Sequence, residues 1–180
     1  HLQGKCDDTT VNKLKLLMNQ ADVTTDIFPA VSAALLKADA TGAPAGAMQL
    51  PDGTVVTGKT SSTLGAASAL LLNALKHLAG IDDSIDLISA QVLEPICQLK
   101  TGYLSHKNPR LHTDEVLIAL TISALTNPAA QKAKEQLSQL QGCGAHFSVV
   151  LSQEDESLLK SLGIHVSCEA KYESNRLYHK

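Results

Sequence analysis

The sequence predicts an α/β protein: a three-layer sandwich with a mixed sheet, made of a hairpin plus parallel strands and preceded by a small helical segment. Three observations lead there. Apolar residues at helical spacing alternate along the chain with short β-branched runs. Pro51-Asp52-Gly53 joins two of those runs, supplying one fixed φ and one residue free to take φ > 0, so AMQL and TVVTG read as a hairpin. With 180 residues, 44% hydrophobic and 18% charged, the chain is long and apolar enough for one domain with a good core.

The elements follow in order. Asp8 or Thr9 caps a first helix with Leu14, Leu16, Leu17 and Met18 on its apolar side, and Thr25 or Asp26 opens a second through Ala33, Leu35 and Leu36. This helical pair, residues 1–42, reads as the end of a preceding helical subdomain or a packing arm; the sandwich domain occupies 43–180. After the hairpin, small and apolar residues run from Thr60 to Ala79 and stop at Gly80, which predicts a long helix buried on more than one side. IDLIS, near Ile85 to Ser89, reads as a short strand, and a helix follows from about Ala90 to Lys100. Thr113, with Asp114 and Glu115, starts a helix that has hardly any polar face. Asn127-Pro128 restarts a more polar helix to about Leu140. HFSVVL is a strand, EDESLLKSLG a helix ending at a glycine, and IHVSC a last strand. Alternation of this kind predicts a mainly parallel sheet with helices on both faces.

Composition narrows the partners. A formal charge of -3 and no run of Lys or Arg give no electrostatic footprint for nucleic acid, and two Phe, three Tyr and no Trp leave little to stack bases on, so nucleic acid is a poor partner. The longest apolar stretch, Leu64 to Ala79, is interrupted by Asn73, Lys76 and His77, so no membrane span is read, and the four dispersed cysteines fit reduced thiols and a cytoplasmic setting. A start at His1 rather than Met reads as a piece of something longer.

From Gly53 to Thr60 the chain matches G-x-x-x-x-G-K-[ST], the phosphate-loop pattern. The hairpin argues against that loop. Gly53 falls in the turn and Gly58 at the far end of a strand, about 16 Å apart at roughly 3.3 Å per residue, and Val55 and Val56 resist curling. What survives is GKTSS at a strand-to-helix junction. Gly58, Lys59, Thr60, Ser61 and Ser62 would there offer N–H groups, an ammonium and hydroxyls to an anion. The plain alternative is that Thr60 or Ser61 caps the helix and Lys59 is solvated.

Four phrases carry a resemblance: LPDGTVVTGKTSSTLGAASALLLNALKHLAGIDD from Leu50, KNPRLHTDEVLIALTISALTNPAAQKA from Lys107, GCGAHFSVVLSQEDE from Gly142 and CEAKYESNRLYHK from Cys168. They resemble the C-terminal part of a bacterial family known as domain of unknown function 1846, or uncharacterised protein family 0371. The resemblance implies a longer protein with an N-terminal region carrying its own phosphate-loop-like segment. It implies no agreed activity; labels such as ATP-dependent peptidase or zinc protease find no H-E-x-x-H here. It also implies similarity to the cytidine-deaminase-like sandwich, whose zinc ligands sit at the starts of the helices after the hairpin and after the third strand. The equivalent places read GKTSST and SAQVLEP and hold no such ligands, which leaves a cleft lined for an anion.

Two other groups complete the reading. Cys143 and His146 form a C-x-x-H and His165 with Cys168 an H-x-x-C, candidates for zinc, although His165 and Cys168 point to opposite faces of a strand. NPRLHTDE gathers Arg110, His112, Asp114 and Glu115 where a loop enters a helix. Arg110 is read as an anion clamp and His112 as a candidate acid or base, the two carboxylates as complements of the helix dipole. No cofactor is named by these residues. The expected partner is a phosphorylated small molecule or nucleotide. The alternative is a structural or oligomerisation module, its apolar helices (Thr9 to Ala40, Thr113 to Leu125) packing on another subunit or on the N-terminal region; a zinc enzyme is the third reading.

Overall fold

The computed structural model describes residues 1–173; the end of the last resembling phrase, from Ser174, lies outside them. Asp7 accepts a hydrogen bond from the Thr10 N–H and starts helix α1, Asp8–Gln20. A 3-10 turn, Thr25–Ile27, leads into α2, Pro29–Thr41. The helix starts later than Thr25 because a proline favours an extended residue before it, and Phe28 has φ -95 and ψ 109.

The hairpin forms as expected. Strands β1 (Ala45–Gln49) and β2 (Val55–Lys59) pair antiparallel around Gly53, which takes φ 85. Helix α3 runs from Ala66 to Leu78, not from Thr60. Residues 60–65 are a loop because the Ser61 hydroxyl takes the N–H groups of Thr63 and Leu64 (3.3 and 3.0 Å), an alternative to helix that serine offers its own backbone.

Ile85–Ser89, expected as a strand, is irregular. Leu87 and Ile88 are both buried, and Asn127 Nδ2 bonds the carbonyls of Asp86 and Leu87, so this segment joins the core without a ladder. Helix α4 (Ala90–Gln98) continues into a π-helical turn, Leu99–Tyr103. Helix α5 is Thr113–Ser123 and α6 is Pro128–Lys134. Strand β3 (Gly144–Phe147), helix α7 (Gln153–Ser161) and strand β4 (His165–Cys168) close the described chain.

The four strands lie in the order β2-β1-β3-β4. β1 is antiparallel to both neighbours, and β3 with β4 is the parallel pair. The expected mainly parallel sheet is therefore corrected: the strand that would have supplied a second parallel pair does not exist. The third strand is β3, so the helix that follows it is α7 rather than α4.

Helices cover both faces. Ala30 and Ala34 of α2 pack on Ala47, with Val55 beside them. On the other face Met48, Ala145 and Phe147 meet Leu70, Leu71 and Leu75 of α3, Val116 and Leu120 of α5 and Leu159 of α7. Sheet and α3 meet at glycine: a Cβ on Gly58 would stand 2.2 Å from the Leu70 backbone nitrogen. Because β2, β3 and β4 run the same way, their carboxyl ends share one edge of the sheet, where the loops before α3 and α7 begin. No helix among the described residues is long and apolar enough to cross a membrane.

Candidate functional site

At that edge the starts of three helices are joined. The loop before α3 is zipped to the segment before α5: Leu64 and Leu111 form a parallel bridge, Leu111 N–H donates to Thr63 O at 2.8 Å, and the Ser68 hydroxyl donates to Leu111 O at 2.9 Å. His112 precedes the first turn of α5. Its N–H is taken by Glu115 Oε2 at 2.8 Å, and that same oxygen accepts from Lys100 Nζ at 2.5 Å. Lys100, 1% exposed on the π-helical turn, also donates to Arg110 O at 2.7 Å. An ion pair between a buried ammonium and a half-buried carboxylate thus fixes the backbone on which His112 sits, since an ammonium without partners could not be buried.

Helix α7 approaches from the other side. Ser152 caps it, accepting the Asp155 N–H at 3.1 Å. The Asp155 carboxylate, buried, crosses to α5: Oδ1 accepts from Thr113 N at 2.8 Å and Thr113 Oγ1 at 3.0 Å, while Oδ2 accepts from Ser152 Oγ at 3.0 Å and lies 3.3 Å from His112 Nδ1. Burial alone would push the Asp155 carboxyl up; the hydrogen bonds from His112 and Thr113 outweigh it and hold it below the usual carboxylate range. The Asp155 hydrogen bond in turn raises the His112 imidazole above its ordinary value, against the opposing effects of burial and of the Lys100 charge.

The chemistry of the pair follows. An ionised carboxylate only accepts, so His112 Nδ1 carries a proton and Nε2 is the nitrogen left for other work. Among the described residues Nε2 has no hydrogen-bond partner, and the half-buried ring keeps access to solvent. Serine, histidine and aspartate meet here without forming a nucleophilic relay. Ser152 and Asp155 both lie at Nδ1, the Ser152 proton goes to Asp155, and Ser152 Oγ is 3.5 Å from the imidazole.

The residues predicted from sequence are only partly brought together. Arg110 and His112 flank Leu111 at this edge, but Arg110 is engaged, with Nη1 2.5 Å from the Glu173 carboxylate. Gly58–Ser62 is not a helix start. Gly58 presses on α3, and exposed Lys59 shares its strand face with Val55, hence the α2 side, away from His112. Thr60 N–H donates to Pro44 O and Ser61 N–H to Leu64 O, both near 2.9 Å or closer, so these donors are taken; Ser62 is exposed. Cys143 packs in the core on the α3 side and donates to Gln139 O. His146 turns to the opposite face, with Ser167 Oγ at Nδ1 (2.9 Å) and Glu169 Oε1 at Nε2 (3.1 Å). The two do not converge, and no group of three metal-ligating side chains converges among the described residues. Two shallow depressions, about 370 and 380 Å³, lie at the other end of the sheet around Lys160 and Gly163 and do not touch His112.

Asp155, Ser152 and Lys100 were not read from sequence as site residues. Ser152-Gln-Glu-Asp155 is legible as a capping pattern, which has a purely local meaning; nothing in it says that the aspartate reaches a histidine 43 residues away. Lys100 carried no signal at all.

Comparison with known proteins gives one consistent answer. The family model described as "Domain of unknown function DUF1846, C-terminal" matches residues 26–178. A UPF0371 protein of Corynebacterium efficiens is 48% identical over 178 residues, 99% of this chain and 36% of its own length. Others from Corynebacterium glutamicum (47%, covering 97% and 35%) and Streptococcus thermophilus (44%, covering 96% and 35%) align similarly. The chain thus spans about a third of the length of the curated relatives it matches. Similarity of this extent, over elements that include every residue of the His112 site, means that the chain belongs to the DUF1846 C-terminal family.

Proposed function

We propose that this domain binds a phosphorylated or nucleotide-like small molecule at the carboxyl edge of the sheet, against His112, as one part of a longer bacterial protein. The observation that carries the reading is the His112–Asp155 pair at the meeting of α5 and α7: an imidazole with a raised pKa, its Nδ1 facing the carboxylate and its Nε2 without a hydrogen-bond partner among the described residues, set between two helix starts. Protonated, that ring donates Nε2–H to a phosphate oxygen; the dipoles of α5 and α7 are already met by the carboxylates of their own first turns, Asp114 and Glu115 and Glu154 to Glu156, so the attraction comes from the ring and not from the helix ends. Arg110 is the second cation at this edge, available once the Glu173 carboxylate is displaced.

The sheet order supports similarity to the cytidine-deaminase-like sandwich, since an antiparallel β1 lies inside three strands that run together. Open α/β sheets bind ligands at such carboxyl edges. At the two helix starts where that fold carries its zinc ligands, this chain has Gly65-Ala66-Ala67 and Ser152 to Asp155, which lack the cysteines. A second reading, a structural or oligomerisation module, draws support from Ile118 and Ile122 on α5, 61% and 55% exposed, and Leu125 in the turn after it, 83% exposed.

A thermal-shift titration with inorganic phosphate, nucleotides and sugar phosphates tests the first reading. Ligand at a hundredfold over its Kd adds about 2.7 kcal/mol, a rise of roughly 5–10 °C. His112→Gln is expected to abolish the shift and Lys59→Ala to leave it in place. A shift lost with Lys59 and kept without His112 would move the site to the other face of the sheet, and no shift with any compound favours the module.

A further inference from the structure

Helix α1 stands apart from the core. Like α4 it buries no residue, but α4 packs Val92, Leu93 and Ile96 against the core cluster and α1 packs none of its side chains there, whereas α2, of the same length as α1, buries Ala30, Val31 and Ala34. Val11 and Met18 are partly covered, but Leu14 and Leu17 beside them remain 57% and 53% exposed. A 13-residue helix is marginal in water unless tertiary packing holds it. Among the described residues, the side-chain hydrogen bond tying this segment to the body is Lys5 Nζ to Glu156, at 3.1 Å on the surface, a weak tether.

Two facts from outside the packing agree with this. The C-terminal family model begins at residue 26, after α1. Yet the Corynebacterium efficiens relative aligns over 99% of the chain, so that longer protein carries a counterpart of α1 as well. The helix is therefore shared with the long relatives while standing outside the unit that folds around the sheet.

We propose that α1 is a junction helix whose Leu14–Leu17 side docks on the remaining two-thirds of the full-length polypeptide. Attachment favours this occupant over a second copy. A region joined directly to α1 meets it at an effective concentration that free subunits do not approach. The surface it offers must be apolar, to cover leucines, and it needs no metal, nucleotide or charge to do so. The proposal is independent of the ligand reading, since α1 carries none of the residues around His112.

Hydrogen exchange read by mass spectrometry tests it on two proteins: this chain, and the full-length Corynebacterium efficiens relative. In this chain the amides of residues 10–20 should exchange close to unfolded rates at every protein concentration, and deletion of residues 1–23 should leave the melting temperature of the rest unchanged. In the full-length relative the aligned helix should be protected at least a hundredfold more. An aligned helix that exchanges as fast in the full-length protein would overturn the proposal. So would protection in this chain that grows with concentration, which would assign α1 to a second copy, or a melting temperature that falls on deletion, which would assign it to the sandwich.

Discussion

Replacing Gly58 by alanine separates two roles that one glycine could have. In a phosphate loop it would supply backbone freedom; in this fold it supplies space. A Cβ built there stands 2.2 Å from Leu70 N, 2.5 Å from Leu70 Cα and 2.7 Å from Ala69 C, all backbone atoms of α3. Ordinary carbon contacts begin near 3.5 Å, so α3 must retreat from β2 by roughly 1 Å, and no rotamer change relieves the clash. Overpacking of this kind costs about 1–3 kcal/mol, and a clash with backbone belongs at the upper end, about 3 kcal/mol. For a domain of this size that is a fall in Tm of roughly 6–12 °C. Gly53→Ala is the matched control: it has nothing within 4 Å but sits at φ 85, so its cost, about 1 kcal/mol, is conformational. Urea unfolding followed by circular dichroism, with thermal melts, measures both. If Gly58→Ala comes within about 0.5 kcal/mol of the parent, β2 and α3 are not packed as described and the steric reasoning fails.

Three further outcomes follow from the site. Lys100→Met keeps the apolar stem but leaves the half-buried Glu115 carboxylate and the Arg110 carbonyl without their cation, and should destabilise by about 2 kcal/mol in urea unfolding; a neutral result would mean that the pair does not hold the segment before α5. Asp155→Asn weakens the bonds to Thr113 and His112, at a cost of about 2 kcal/mol, and should drop the His112 pKa toward or below its ordinary value in a proton NMR titration. The same pair sets a pH dependence. His112 has a raised folded pKa, so its contribution is complete below the unfolded value and is lost as pH rises through the folded one; Asp155 has a lowered pKa, so its contribution is present above the unfolded value and is lost as pH falls through the folded one. Stability measured against pH should decline on both sides in the parent, and the alkaline step near the His112 pKa should vanish in His112→Gln.

Local chemistry made much of this fold legible. Pro51-Asp52-Gly53 could hardly be anything but a turn, Asn127-Pro128 a helix start, and the helix after β3 announced itself by its acidic first turn and closing glycine. The failures share a cause. Leu87 and Ile88 look like a strand because they are consecutive and apolar, yet the carbonyls of Asp86 and Leu87 go to a side chain, Asn127, and not to a neighbouring strand. Thr60 to Thr63 look like a helix start because serine and threonine cap helices, and here Ser61 instead holds a loop closed. His112 was visible as a polar residue in a loop entering a helix. Its partner was not, because the contact between Asp155 and His112 exists only after α7 has crossed from β3 to β4, and no spacing along the chain encodes that meeting.

The most direct measurement is a proton NMR titration of the His112 ring with and without sulfate, an anion that stays dianionic over the whole range used. Binding at His112 predicts that sulfate moves its resonance and raises its pKa further, by the reciprocity of linked equilibria, while affinity falls about tenfold per pH unit once the ring deprotonates. A His112 resonance and pKa that sulfate leaves unchanged, with inorganic phosphate giving the same result at low pH, would contradict the anion-binding account.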